Sequence, residues 1–392
     1  MINLGVVFPS HDRSLKYRHP SGSNYYRCTR IPSHDQSGWS VSLSGNGNIV
    51  AIGATKNDGT GSDAGHVRVY EYSGSSWSQK GGDIDGEAAG DYSGYSISLS
   101  NDGSILAIGA RFNDGTGSNA GHTRVYEYSG SAWVQRGSDI DAEAVSDQSG
   151  YSVSLSSDGS IVAIGAVFND GTASSNVGHT RVYEWNGSAW IQKGSDIDGE
   201  ASNDYSGYSV SLSDDGDIVA IGAIFADAAF TTVGHVRVYE YNGSAWVQKG
   251  SDIDGQDTAT GGDDQFGRSV SLSSDGSILA IGSHYYDDGT GANAGYVQVY
   301  EYSGSSWSQK GSDIDGEAEF DESGWSVSLS SDGSIVAVGA IKNDGAGSNA
   351  GHVRVHEWNG SAWIQKGSDI DGESSNDYSG YSVSLSDDGG RS

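Results

Sequence analysis

Ser149-Gly-Tyr-Ser-Val-Ser-Leu-Ser-Ser-Asp-Gly-Ser-Ile-Val-Ala-Ile-Gly-Ala166 is followed by Gly178-His-Thr-Arg-Val-Tyr-Glu-Trp185 and then by Trp190-Ile-Gln-Lys-Gly-Ser-Asp-Ile-Asp-Gly-Glu200. The three stretches recur in this order six times, and a seventh copy opens at Ser379. Copies begin at residues 37, 93, 149, 206, 266, 323 and 379, giving spacings of 56, 56, 57, 60, 57 and 56 residues. A fixed period of this length is the signature of a repeat architecture. A residue found in every copy belongs first to the building plan, so the copies that break the pattern carry most of the functional signal.

Each copy reads as four strands. Val153 and Leu155 alternate with Ser152, Ser154 and Ser156, a period of two that puts branched side chains on one face and small hydroxyls on the other. A Ser-Asp-Gly turn leads to Ile161–Ala166, apolar on both faces as expected of a strand between two layers. A longer loop precedes the third strand, His179–Trp185. Asn186-Gly187 then reads as a hairpin into a fourth strand anchored by Trp190.

Four antiparallel strands per unit, repeated around an axis, predict an all-β fold, a β-propeller of four-stranded antiparallel blades. Six full copies and a partial one predict seven blades, with a six-bladed ring as the alternative. Residues 1–36 form a divergent segment and residues 37–392 the propeller. On the seven-bladed reading, Asn3 to Phe8 and the stretch from Tyr25 to Thr29 add strands beside the partial copy.

Composition narrows the partners. The formal net charge is −31, with 21 Lys and Arg against 52 Asp and Glu. A body this acidic repels phosphate backbones, which disfavours nucleic acid as a partner. No apolar run approaches a membrane span, and a single cysteine allows no internal disulfide. The oligomeric state is not readable from the sequence.

The fifth copy contains Phe266-Gly267-Arg268-Ser269-Val270, and Ile281-Gly282-Ser283 ends its second strand. Gly65-His66-Val67-Arg68-Val69-Tyr70 and Trp77-Ser78-Gln79 show the rest of the unit. These motifs resemble FG-GAP-type repeats, the blades of the integrin α-subunit propeller and of bacterial and algal surface proteins. The resemblance covers about residues 37–390. It implies a non-catalytic propeller for adhesion or recognition, extracellular or at the cell surface, with a protein or carbohydrate ligand. Two departures stand out. A tight Ser-Asp-Gly turn replaces the family's calcium loop between the first two strands, and no proline follows the Gly-Ala pair.

Sorting the carboxylates by loop puts most of them on the side of the long loops. Asp83, Asp85 and Glu87, with Asp139, Asp141 and Glu143 and with Asp196, Asp198 and Glu200, form Asp-Xaa-Asp-Xaa-Glu sets that suit Ca²⁺, which takes six to eight oxygen ligands. The alternative is a solvated acidic rim. The recurring His66, His122, His179, His235 and His352 read as edge residues, because a metal needs converging ligands and these stand one per blade. The recurrent tryptophans read as blade core.

The pattern breaks around copies four and five. Phe225 and Phe230 lie in one unusual loop, and His284, Tyr285 and Tyr286 lie in the corresponding loop of the next copy. Together they predict an aromatic ligand-binding patch within the carboxylate rim. The leading functional expectation is a non-enzymatic recognition propeller using this acidic face, assisted by Ca²⁺. A passive structural or coat protein is the alternative, followed by a propeller lyase or glycosidase.

Overall fold

The computed structural model describes residues 4–7, 16–17, 35–171, 175–228, 231–256, 264–287 and 292–389. The expected four strands form in every full copy. In the third copy they are Ser149–Leu155, Ile161–Ala166, His179–Trp185 and Trp190–Gln192, joined antiparallel in that order. A fifth, two-residue strand, Ile197–Asp198, pairs with the start of His179–Trp185, so the acidic loop begins inside the blade. The second strand is buried at all six positions, as its two-sided apolar pattern predicts. Among the described residues no helix is long and apolar enough to cross a membrane.

Six blades of this kind are complete, which is the six-bladed alternative; the expectation of seven four-stranded blades is corrected. The remaining sheet has three strands, Lys16–Tyr17, Leu4–Val7 and Ser382–Leu385, in that order. It closes the gap between the sixth and first blades, with Ser382 and Ser384 meeting the strand Ser37–Leu43. It falls short of a blade because the partial copy supplies an inner strand without a second or third. Tyr25 to Thr29 lies outside the described residues.

The inner strands are tied together by the serines that their alternation exposes. The hydroxyls of Ser42, Ser98, Ser154, Ser211, Ser271, Ser328 and Ser384 accept from the amides of Leu99, Leu155, Leu212, Leu272, Leu329, Leu385 and Leu43 at 2.9–3.1 Å. Each inner strand therefore passes an edge N–H to its neighbour, and the chain of bonds returns to its start. At the short-turn end a second closed ring is made of backbone alone. Gly45 N–H donates to Asn101 C=O, and the pattern continues through Ser157, Asp214, Ser274, Ser331 and Asp387 back to Gly45, at 2.8–2.9 Å.

Hydroxyls as small as serine work here because the blades approach at backbone distance. A Cβ placed on Gly165 would run into the Gly207 carbonyl of the next blade, and the same glycine contact recurs between the other full blades. Gly207 itself has φ +86°, in the left-handed region that glycine adopts without penalty. It sits in a bulge between Ser206 and Ser209 that breaks the register of the inner strand. Between the blades, branched side chains pack into separate clusters; Val153, Leu155, Val162 and Ile164 of one blade meet Ile105, Ala107, Val125 and Ile140 of its neighbour.

The recurrent tryptophans brace the outer wall. Trp133, Trp190, Trp246, Trp307 and Trp363 each donate the indole N–H to a backbone carbonyl of the preceding blade at 2.7–2.8 Å. They are half-buried between blades, in the structural role expected of them.

Two outcomes follow from this packing. Ser154→Ala removes the acceptor of the Leu212 amide and should lower stability by about 1–2 kcal/mol in denaturant unfolding, whereas an unchanged midpoint would show that the serine ring does not hold the blades. His356 occupies a third-strand position that is tyrosine in the other five full copies. It is 6% exposed, and burial, with Arg354 nearby, lowers its pKa from 6.5 to about 4. Between those values the unfolded chain binds a proton that the folded one does not, so its stabilising share is full above pH 6.5 and lost as pH falls toward 4. His356→Tyr should therefore flatten the acid limb of the stability curve in that window, measured by urea unfolding in metal-free buffer.

Candidate functional site at the axial mouth

The residue after the inner-strand glycine turns toward the propeller axis in every copy. These residues are Trp39, Tyr95, Tyr151, Tyr208, Arg268, Trp325 and Tyr381. Successive rings touch at 4.7–5.4 Å between centroids, from Tyr208 through Tyr151, Tyr95, Trp39 and Tyr381 to Trp325. Arg268 closes the circle, its guanidinium 4.0 Å from the Trp325 ring centroid and 5.0 Å from that of Tyr208. Six aromatic positions and one cation thus line the long-loop end of the axis.

Arg268 has no carboxylate within ion-pair distance among the described residues. A second such cation, Arg111, stands over Tyr95 at 4.0 Å and Phe112 at 4.3 Å, with Gln148 Oε1 3.4 Å from its Nη1. Faces of aromatic rings hold both guanidinium groups by cation–π attraction, with no ion-pairing carboxylate among the described residues. On a chain of formal net charge −31, this mouth is a local reversal of sign.

Beside Arg268 the fifth and sixth blades supply a group of further departures from the repeat. His284 is buried and meets Trp325 edge-on at 4.9 Å, and its pKa is driven well down by burial with help from Arg268 and Lys342. Glu322 is 3% exposed, and one of its oxygens accepts from Lys342 Nζ at 2.7 Å. Its other oxygen, Oε2, has no hydrogen-bond partner. Burial raises the Glu322 pKa, while Lys342 and Arg268 pull against that rise. A carboxylate held at raised basicity next to two cations can take a proton while the cations stabilise a developing anion.

Only part of the expected aromatic patch reaches this mouth. His284 and Tyr285 do, their rings 3.9 Å apart and Tyr285 close enough to raise the Lys342 pKa, though most of that rise comes from Glu322. Tyr286 turns into the blade, edge-on to Tyr296 at 4.3 Å, with its hydroxyl donating to Gln256 Oε1 at 2.9 Å. Phe225 packs on Tyr205 at 5.3 Å. Phe230 lies outside the described residues. The sequence reading missed Arg268, Arg111, Glu322 and Lys342. Arg268 carried a signal, as the single member of its column without an aromatic ring.

The carboxylates of the acidic loops are shared between two blades. Asp83 is held by Arg68 through two hydrogen bonds of 3.0 and 2.8 Å, and Asp85 faces His66 at 3.8 Å. Glu87 reaches across to Arg124 of the next blade, and Glu200 likewise to Arg237. Asp139 stays in its own blade, 3.6 Å from His122 Nδ1. Asp141 and Asp198 lie in the short fifth strands, paired with His122 and His179. Glu143 is 3.7 Å from Arg181 of the following blade. Asp83 and Asp85 of the first loop thus come together at His66, while Glu87 of the same loop joins the next blade. Among the described residues, five groups join one histidine to two carboxylates and could hold a metal ion: His66 with Asp83 and Asp85, His122 with Glu87 and Asp139, His179 with Glu143 and Asp196, His235 with Asp252 and Asp254, and His352 with Glu317 and Asp369.

Among its described residues blade five has no such group, and its replacements come as a set. Tyr296 stands for the histidine, Gln298 for the arginine and Gln256 for the glutamate of the preceding loop. Gln256 and Gln298 donate to the two oxygens of Asp313 at 3.1 and 3.0 Å. The Arg–Glu brace of the second, third, fourth and sixth blades has been exchanged for neutral hydrogen bonds.

A family model described as FG-GAP repeat matches residues 32–70, 84–126 and 255–300. No curated protein matches the chain. Among solved structures, a periplasmic gluconolactonase of Pseudomonas aeruginosa is similar at 14% identity and TM-score 0.64, covering 96% of this chain and 97% of its own. A protein described as a 6-phosphogluconolactonase, from Bacteroides uniformis, is similar at 8% identity and TM-score 0.61, over 95% and 97%. The hydrazine synthase of Kuenenia stuttgartiensis follows at 11% identity and TM-score 0.56, over 93% and 94%. At these identities the likeness is one of fold. The neighbours are named as enzymes, two of them as lactonases, and this overturns the expectation of a non-catalytic adhesion propeller. The chain is a β-propeller of repeated four-stranded blades, in which three stretches match the FG-GAP repeat.

Proposed function

We propose that the protein is a hydrolase of small sugar-derived lactones, bound at the axial mouth beside Arg268. The observation that carries this reading is the Arg268 guanidinium, without an ion-pairing carboxylate among the described residues, in an otherwise aromatic ring on a strongly acidic protein. Aromatic faces suit the ring of a sugar, and a fixed cation suits the charge that grows on the carbonyl oxygen as water adds. The names of the two lactonase neighbours support the choice of substrate class.

In this reading Glu322 accepts a proton from the attacking water as the new C–O bond forms at the lactone carbonyl. Arg268 and Lys342 face the resulting oxyanion. The ring C–O bond then breaks, the proton returns to the departing alkoxide, and the product is an open-chain hydroxy acid. The Glu143- and Glu200-type carboxylates act as braces between blades in this scheme, outside the site.

Proton release from glucono-1,5-lactone and from its 6-phosphate, corrected for spontaneous opening, tests the proposal. Glu322→Gln should slow the catalysed rate by about 100-fold or more. Arg268→Gln should slow it by a similar factor, with unfolding midpoints confirming that both variants fold. Hydrolysis no faster than in buffer, or full activity in both variants, would overturn it.

A further inference from the structure

The five histidine–carboxylate groups differ in their carboxylates, two aspartates in the first and fourth blades and one aspartate with one glutamate in the others, and in where their arginine points. In the first and fourth blades Arg68 and Arg237 hold Asp83 and Asp252 through two hydrogen bonds each, which saturates one carboxylate of the group. In the second, Arg124 lies between Glu87 and Asp139. In the third and sixth blades the guanidinium leaves the aspartate and only approaches the glutamate: Arg181 Nη2 donates to the Asp141 carbonyl at 2.7 Å with Nη1 3.7 Å from Glu143, and Arg354 Nη2 to the Asp315 carbonyl at 2.5 Å with Nη1 3.6 Å from Glu317. Asp196 and Asp369 are left with a single side-chain donor each, Gln192 and Gln365 at 2.6 Å.

His352 adds an independent sign. Its side chain is 1% exposed, and neither ring nitrogen has a hydrogen-bond partner. A buried imidazole ordinarily satisfies both nitrogens, and leaving a polar atom unpaired costs about 1–3 kcal/mol. Nδ1 faces the cluster, 3.9 Å from Glu317 Oε2. His179 is also buried, with Nε2 unpartnered.

We infer that the third and sixth blades each bind one divalent transition ion of the Zn²⁺ class, through His179, Glu143 and Asp196 and through His352, Glu317 and Asp369. The ligand atoms of each group lie within 4.8 Å of one another, close enough to converge on a common ion with small side-chain rotations. One imidazole nitrogen and two carboxylates suit Zn²⁺, with water completing a four-coordinate shell. Ca²⁺ prefers an all-oxygen shell of six or more ligands, which this set does not provide. Each site bridges two blades, because Glu143 and Glu317 come from the loop of the preceding copy.

The test uses the full chain stripped of metal by chelator dialysis, then titrated calorimetrically with Zn²⁺ and, separately, with Ca²⁺. Co²⁺ substitution provides a visible spectrum that reports ligand geometry at the same sites. The expected result is two tight Zn²⁺ sites per chain, Ca²⁺ at least 100-fold weaker, and loss of one site in His352→Ala. Asp369→Asn leaves the buried histidine in place and should lose the same single site and half of the Co²⁺ absorption, with an unchanged metal-free unfolding midpoint. Zn²⁺ stoichiometry unaltered in both variants, absence of tight binding, or Ca²⁺ bound as tightly as Zn²⁺ would each overturn the inference.

Discussion

The fold depends on how seven inner strands dispose of their edges. A blade that ended at its inner strand would present a row of unpaired N–H groups to the axis, the liability of every sheet edge. Here a serine hydroxyl on one strand accepts the amide of the next, and the series runs without a break from Ser42 through Ser384. The exchange requires a short side chain on one partner and close backbones, and the glycine contact between Gly165 and Gly207 provides the second condition. Backbone bonds from Gly45 to Asp387 repeat the closure at the other end of the axis. The three-stranded sheet of the chain ends is thus needed for the circle even though it is not a full blade.

Much of this was legible in residues whose pattern is local. Val153 and Leu155 alternating with serines, the apolar run Ile161–Ala166 and the Asn186-Gly187 turn fixed strand number, order and facing. The blade number was harder, because it depends on how strands far apart in the chain meet. The partial copy at Ser379 said that an inner strand exists; whether it gains three partners is decided by pairing across more than 370 residues, as between Leu4 and Leu385.

The candidate site was less legible for a related reason. Grouping residues by loop brought Phe225 and Tyr286 together on paper, but a loop has an inside and an outside, and both side chains turn toward neighbouring aromatic rings. Reading down the columns of the repeat was the better guide. Arg268 interrupts a column of tyrosines and tryptophans, and Glu322 lies in the column three positions before it, which is otherwise filled by glutamines and tyrosines. The histidines show the converse: in the second, third and sixth blades the group is completed by Glu87, Glu143 and Glu317, which arrive from the preceding copy.

The neutral set in the fifth blade says something about how such a ring is inherited. Tyr296 and Gln298 belong to one copy, and Gln256, which shares Asp313 with Gln298, belongs to the copy before. Had a single 56- to 60-residue copy been exchanged as a block, a glutamate would have faced a glutamine on one side of the junction and an arginine would have lost its glutamate on the other. The segment that can be duplicated without leaving an orphaned charge therefore starts within one blade and ends within the next. In this protein the matched charges belong to the interface between blades more than to a single blade.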